Sequence, residues 1–388
     1  MSTARPETAA IDPVSLAPRA AYVHVPFCVH RCGYCDFTVV AGRGDLIGAY
    51  LDALDGELSG LGERRAIDTL FIGGGTPTQL SPRELARLFE ILQRWFVLAA
   101  GGEFSVEANP AGLDAAKVDA LAAAGVNRVS LGVQSFDAGV LATLERDHRR
   151  DEILAAVAHV RQRIANVSLD LIFGVPGQTL AVWRDTLWRA IDLAPPHVST
   201  YGLTWEKGTA FWSRRRTGRL VPAPEELERD MYALAMDELA AAGCEQYELS
   251  NFARPGFACR HNQTYWRGLP YYGFGPGAAR YIGGRRETNH RSVTTWLRRV
   301  RAGHSPTAQA ETLPAEERAR ELLVLGLRTM AGICRADFLD RTGFTVDELA
   351  AGALRRHVAA GLIDDTPTHL RLTRAGRFVA DSVVVDLV

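Results

Sequence analysis

No stretch of this chain approaches the ~20 consecutive apolar residues of a membrane-spanning helix. The opening residues, MSTARPETAAIDPVSLAPRA, also lack the continuous apolar segment of a secretory signal. Charge of one sign is missing too: 44 Lys plus Arg stand against 45 Asp plus Glu, a formal net charge of -1. That balance excludes a global attraction to nucleic acid or to an anionic membrane, and a cytoplasmic protein is expected. Cysteine is scarce, six in 388 residues. A chain of this length buries enough core to need no disulfide staples, so a disulfide framework is excluded as well. There is no internal repeat and no long low-complexity tract.

The few cysteines are unevenly placed. Cys244, Cys259 and Cys334 are scattered, whereas Cys28, Cys32 and Cys35 fall in one short loop after the strand-like AAYVHVP. Three soft thiolates and no fourth suit a cubane iron–sulfur cluster with one iron left unligated by protein. Structural zinc is the competing reading, with His24 or His30 completing a set of four. The spacing of three residues then two is unusual for a zinc knuckle, and Gly33 marks a loop rather than a core segment.

Beyond that loop the chain alternates. Strand patterns at IDTLFIGGG, EFSVEANP, NRVSLGVQS, NVSLDLIFGVP and HVSTYGL are separated by helical patterns near 45–60, 82–97, 114–124, up to about 164, and 180–193. With AAYVHVP this makes six strand units, too few for a complete eight-fold barrel. The expected fold is α/β, a partial (β/α)6 barrel, with an open doubly wound sheet as the competitor. Either architecture gathers sites at the carboxyl ends of the strands. The expected organisation is an irregular segment 1–19, the barrel 20–205, an extension 206–305, and a C-terminal α+β, winged-helix-like module 306–388. The extension should hold a helix at 224–242 after the basic Arg214-Arg215-Arg216, then EQYELSNFA as a strand. The tail should hold helices at 314–328, 335–341 and 346–359, a hairpin at LIDDTPTHLRLT and a final helix. Its helices are not strongly basic, so it reads as a structural or lid module, not a DNA reader.

Gly73-Gly74-Gly75-Thr76-Pro77-Thr78 follows a strand, and three glycines let backbone approach a ligand and donate N–H groups. Glu107, Gln134, Arg146 and Asp170 stand after or within successive strand units.

The three-cysteine spacing with Tyr34 before the last cysteine resembles the radical S-adenosylmethionine superfamily. That resemblance implies a [4Fe–4S] cluster whose open iron chelates the methionyl amine and carboxylate before reductive cleavage of the sulfonium. The glycine run resembles the segment that holds the amine, and Glu107 is placed for a ribose hydroxyl. Across roughly 20–385, Tyr22-x-His24-x-Pro26-Phe27-Cys28, GGGTPT, GVQSF and DLIFGVPGQT resemble the oxygen-independent coproporphyrinogen III oxidase family and its HemW-type haem-chaperone branch. Tyr22, Gly74, Gly75, Thr76, Glu107, Gln134, Arg146 and Asp170 match positions that contact S-adenosylmethionine in that family.

Three features point to the chaperone branch. Phe37 stands where the oxidase branch has a further cysteine, and the segment before the first strand is short. His261-Asn262-Gln263-Thr264-Tyr265-Trp266 matches the branch's HNxxYW pattern within SNFARPG…HNQTYW. The resemblance implies haem as a cofactor or cargo, a haem-recipient protein (membrane-associated ones included), an electron donor, and monomer and dimer forms. His261 and Cys259 are the candidate haem ligands, near Tyr265, Trp266, Tyr271 and Tyr272. The alternative for HNQTYW is a loop packing the C-terminal module onto the barrel. His24 is expected to support the cluster loop. One departure is Glu145, where the family's Leu-Gly-Arg-x-His segment has glycine.

Overall fold

The computed structural model of the chain describes residues 17–387, so most of the expected irregular segment lies outside it. Its centre is a nine-stranded sheet. The strands are β1 (Ala20–Val25), β2 (Arg65–Gly74), β3 (Phe96–Ala108), β4 (Arg128–Gln134), β5 (Asn166–Phe173), β6 (His197–Gly202), β7 (Glu245–Glu248), β8 (Asn251–Ala253) and β9 (Tyr272–Phe274). Their order is β9-β1-β2-β3-β4-β5-β6-β8-β7. The six expected strands are all present and run parallel. Two features extend them. β9 adds parallel to β1, and EQYELSNFA is not one strand but a tight antiparallel hairpin, β7 and β8, paired to β6.

Helices α1 (Ile47–Ser59), α2 (Pro82–Trp95), α3 (Ala115–Ala123), α4 (Ala138–Thr143), α5 (Arg150–Arg161) and α6 (Leu180–Asp192) supply the crossovers. α2 shows why a helix starts where it does. Ser81 accepts from the Glu84 N–H, Glu84 reaches back to the Ser81 N–H, and Pro82 takes the first position. The strands alternate. Val129, Leu131 and Val133, like Val167, Leu169 and Leu171, join the apolar core beneath the helices. The intervening Arg128, Ser130, Ser168, Asp170, His197 and Ser199 occupy the other face. A parallel sheet clad in helices on both sides is apolar on both faces. Here one face is polar, which makes it the lining of a lumen.

α7 (Ala210–Arg216) contains the three arginines that the sequence reading placed before a helix, and α8 (Glu225–Ala241) follows. The HNQTYW residues form α9 (Arg260–Trp266). A three-stranded antiparallel sheet that sequence pattern did not reveal, β10 (Ala279–Ile282), β11 (Arg285–Asn289) and β12 (Thr307–Thr312), encloses α10 (Val293–Arg301) in the chain. The tail runs α11 (Ala315–Leu327), β13 (Ile333–Cys334), α12 (Arg335–Thr342), α13 (Val346–Ala359), β14 (Ile363–Asp365) and β15 (His369–Leu372). It ends in two short helices, α14 (Arg374–Phe378) and α15 (Ala380–Val385), rather than one. With sheet order β13-β15-β14 this is the winged-helix arrangement, around its own apolar core.

Candidate cluster and cofactor site

The cysteine loop leaves the carboxyl end of β1, and the glycine run leaves the carboxyl end of β2. Each glycine is demanded by a different neighbour. A Cβ on Gly73 would lie 2.7 Å from the Glu107 carboxylate, on Gly74 2.5 Å from the His24 ring, and on Gly75 2.7 Å from the Phe27 carbonyl. The N–H groups here are already used, which corrects the idea that they face a ligand. Gly74 N donates to Glu107 Oε2 (2.9 Å), Gly75 N to the Val25 carbonyl (2.8 Å) and Thr76 N to the Phe27 carbonyl (2.8 Å). His24 is buried, with Nε2 2.7 Å from the Thr38 carbonyl and Nδ1 3.0 Å from the Tyr22 hydroxyl. It braces the far end of the cysteine loop, and both its nitrogens are committed.

The three thiols are half-buried and unpaired. Among the described residues no three His, Cys, Asp or Glu groups converge closely enough to hold a single metal ion. A cubane differs, since each thiolate takes its own iron at a separate corner. Thr76 Oγ1 lies 3.6 Å from Cys28 Sγ, and Arg146 Nη1 donates to Cys32 Sγ at 3.7 Å. Burial pushes the Cys28 thiol up, and the Cys35 thiol up to about 11. In the bare loop these two thiols are therefore protonated at neutral pH, and metal binding there releases protons.

Arg146 is held by Asn109 Oδ1 (2.6 Å) and the Gly132 carbonyl (3.1 Å), with its buried Nε left without a partner among the described residues. Three thiolates and an anionic cluster fit beside this cation. Tyr34 packs edge-on to Phe211 of α7, ring centroids 6.0 Å apart. A Cβ on Gly33 would lie 2.6 Å from the Phe211 ring, so α7 clamps the loop. Gln134 ends β4 with φ 61° and Glu145 has φ 57°, left-handed values rare outside glycine. Both flank the site.

Glu107 and Asp170 face the lumen. Burial, against the Gly74 N–H bond and with Asp170 adding to it, pushes Glu107 up to about 7. Burial also raises Asp170, against the opposing hydroxyls of Ser199, Ser130 and Ser168. Sequence reading did not find Asn109, the serine trio, Phe211 or Arg214. They come from the end of β3, from β4, β5 and β6, and from α7, and only the topology brings them here.

Glu145 explains its own departure. Its carboxylate meets Arg214 Nη1 (2.6 Å) and His30 Nε2 (3.4 Å), tying the cysteine loop to α7. Burial opposes ionisation, but these two partners hold Glu145 below the usual carboxylate range. Glu145→Gly relieves about 1 kcal/mol of left-handed strain and removes an ion-pair network worth a similar amount. The thermal midpoint should stay nearly unchanged while the reconstituted protein loses iron to a chelator severalfold faster. A large drop in the midpoint would refute this balance.

The haem-ligand candidates lie elsewhere. Thr69, which contacts His261, precedes Gly74 by five positions on β2, roughly 16 Å along the strand. His261 is buried, with Nδ1 2.9 Å from Thr69 Oγ1 and Nε2 2.8 Å from the Tyr265 hydroxyl. Cys259 is fully buried, its thiol 3.5 Å from Glu103 Oε1, and Glu103 also takes the N–H groups of Arg260 and His261. α9 is thus pinned into the lumen by a carboxylate at its start. In this arrangement neither His261 nor Cys259 offers a free donor, because burial has already assigned their polar atoms to protein partners.

Residues 22–188 match the Radical SAM superfamily model, and 313–379 match the HemN C-terminal domain model. The chain is 37% identical to the heme chaperone HemW of Bacillus subtilis, over 94% of this chain and 98% of that one. It is 38% identical to the heme chaperone HemW of Mycobacterium tuberculosis, over 98% and 97%. The solved coproporphyrinogen III oxidase (HemN) of Escherichia coli superposes with a TM-score of 0.85 at 24% identity, over 97% and 92%, a likeness of fold. With identities of this level along nearly its whole length, the chain belongs to the HemW family of the radical SAM superfamily.

Proposed function

We propose that this protein is a haem chaperone that carries a [4Fe–4S] cluster on Cys28, Cys32 and Cys35, binds S-adenosylmethionine beside it, and delivers haem to haem-requiring proteins in the cytoplasm. The observation that carries the reading is the membership of the HemW family, combined with three thiols grouped at the carboxyl end of a polar-lined parallel sheet. Among the described residues no helix is long and apolar enough to cross a membrane.

The cluster would supply one-electron chemistry and a coordination site to the methionyl group. The chain's own residues then have separable roles. Arg146 offsets the thiolates' charge, and Tyr34 on Phe211 fixes the loop's height. His24 locks the loop to β1, while Glu107, Gln134, Asp170 and Tyr22 are the lumen groups available to the cosubstrate's polar atoms. Phe37, where the oxidase branch has a cysteine, is 62% exposed and has no sulfur to offer.

An oxidase reading is the alternative that the fold allows. Anaerobically reconstituted protein given coproporphyrinogen III should yield no protoporphyrinogen, whereas added haem should bind saturably and remain unchanged. Turnover of the porphyrinogen overturns the chaperone reading.

A further inference from the structure

α9 and the winged-helix unit do not meet flush. The Tyr247 carbonyl of β7 accepts the Met330 N–H (3.0 Å) and Leu249 N–H donates to the Arg328 carbonyl (3.1 Å), which sews the β7–β8 hairpin to the winged-helix unit beside α9. Beside that seam is a cavity of about 590 Å³, within the range of small-ligand sites. Its walls are largely apolar and aromatic, with Trp266, Leu322, Ile333 and Phe338 among them.

Five polar groups of this cavity have no assignment in the site above. The indole N–H of Trp266 is buried and lacks a hydrogen-bond partner among the described residues. Arg267 and Arg341 both line the cavity, and among the described residues neither has a carboxylate in ion-pair contact. Arg267 reaches only Gln263 Oε1 (3.1 Å), and Arg341 only the Arg267 carbonyl (2.6 Å). Asp337, one turn before Arg341 on α12, also lines it. His369 opens β15, directly across from Cys334 in the β13–β15 pair. Its Nδ1 lies 3.1 Å from Thr368 Oγ1, and its Nε2 has no hydrogen-bond partner among the described residues. An imidazole that gives one nitrogen to a hydroxyl and keeps the other free has the arrangement of a metal-ligating histidine. His261 and His24, with both nitrogens engaged, do not.

A largely apolar slot with a free imidazole nitrogen and two guanidinium groups without a carboxylate partner matches one chemistry: a flat apolar macrocycle with a central metal and carboxylate arms. We infer that haem docks in this cavity, with His369 Nε2 as the axial donor to iron and Arg267 and Arg341 facing the propionates. The inference rests on the haem-chaperone reading and moves the ligand from the HNQTYW histidine to the winged-helix unit. A single half-exposed imidazole on a strand end also suits a cargo that must be given up.

The test is titration of the full-length protein with hemin, followed by Soret absorbance and ferric paramagnetic resonance. Wild type should saturate at one hemin per chain with a histidine-ligated spectrum. His369→Ala should bind about tenfold more weakly or worse, with a displaced Soret band that added imidazole restores. Arg267→Ala, an exposed position, should weaken binding severalfold with the band unmoved. An unchanged spectrum in His369→Ala overturns this site while leaving haem binding intact. A shift in Cys334→Ser but not in His369→Ala overturns the choice of ligand. No uptake by wild type removes the haem reading itself. Equal thermal midpoints of the variants confirm that folding is not the cause.

Discussion

Cys32→Ala, reconstituted anaerobically with iron and sulfide, should lose the visible absorbance of the cluster. Its iron and labile sulfide should fall from about four each per chain to near zero. Two thiolates cannot hold a cubane against the solvent, and Cys32 is also the sulfur nearest to Arg146, at 3.7 Å. Alanine therefore removes both a ligand and the partner of a buried cation. Cys244→Ala is the matched control. That thiol is 3% exposed, sits against the Pro195 carbonyl and belongs to the helix-side core. Its loss should cost stability and leave iron content intact. Unchanged iron and spectrum in Cys32→Ala would refute the cluster assignment. A stoichiometry of one zinc in the wild type would refute it in favour of the single-ion reading.

Gly74→Ala is expected to be strongly disruptive for a change of one methyl group. The position has φ +113°, a region costing a side chain about 1–3 kcal/mol. The new Cβ also falls 2.5 Å from the His24 ring, which overpacking puts at a further ~1–3 kcal/mol. His24 has no room to yield, since both its nitrogens are bonded and Gly275 closes on its carbonyl from the opposite side. A loss of about 3 kcal/mol or more in urea unfolding should follow, along with poor cluster retention as the ring releases Thr38. Gly42→Ala provides the contrast, with φ +66° and nothing within 4 Å of its Cβ. It should cost only about 1 kcal/mol. Equal effects at the two positions would show that the His24 contact is unimportant.

The parallel core was legible because its strands are apolar runs of β-branched residues closed by Gly or Pro. EFSVEANP and NVSLDLIFGVP announce both a strand and its carboxyl end, and with it the level of the site. The hairpin at EQYELSNFA was not legible. Its turn is made by Leu249 and Ser250, without the glycine that marks a two-residue hairpin, and is fixed by Glu248 accepting from the Ser250 N–H (3.0 Å). β9 is three residues long, and β11 and β12 read as ArgArgGluThrAsn and ThrAlaGlnAlaGluThr, without an apolar alternation to betray them. At the site, residues carried by local motifs could be named in advance, whereas groups that meet only across strands could not. His261 and Cys259 were candidate donors because of the HNxxYW resemblance, the aromatic residues nearby and their residue type. Type says nothing about whether a lone pair is already engaged, and the structure gives both to protein partners. Glu145 shows the converse: a departure from the family pattern that looked like a defect is compensated by Arg214 and His30.

The pairing of β1 with β9 also sets a schedule for the making of this protein. The strand that launches the cysteine loop has β2 on one side early in synthesis, but its other neighbour is Tyr272–Phe274. At ~5–20 residues per second, the roughly 250 intervening residues take a ribosome about 12 to 50 seconds. Until then β1 is an open edge, Gly275 has not closed on His24, and α7 and α9 are late arrivals as well. The loop that carries three of the chain's six cysteines is among the first parts translated and among the last to be enclosed. Cluster insertion is therefore a step for a nearly finished chain, and a nascent chain stalled before residue 272 should carry its three thiols open to oxidation.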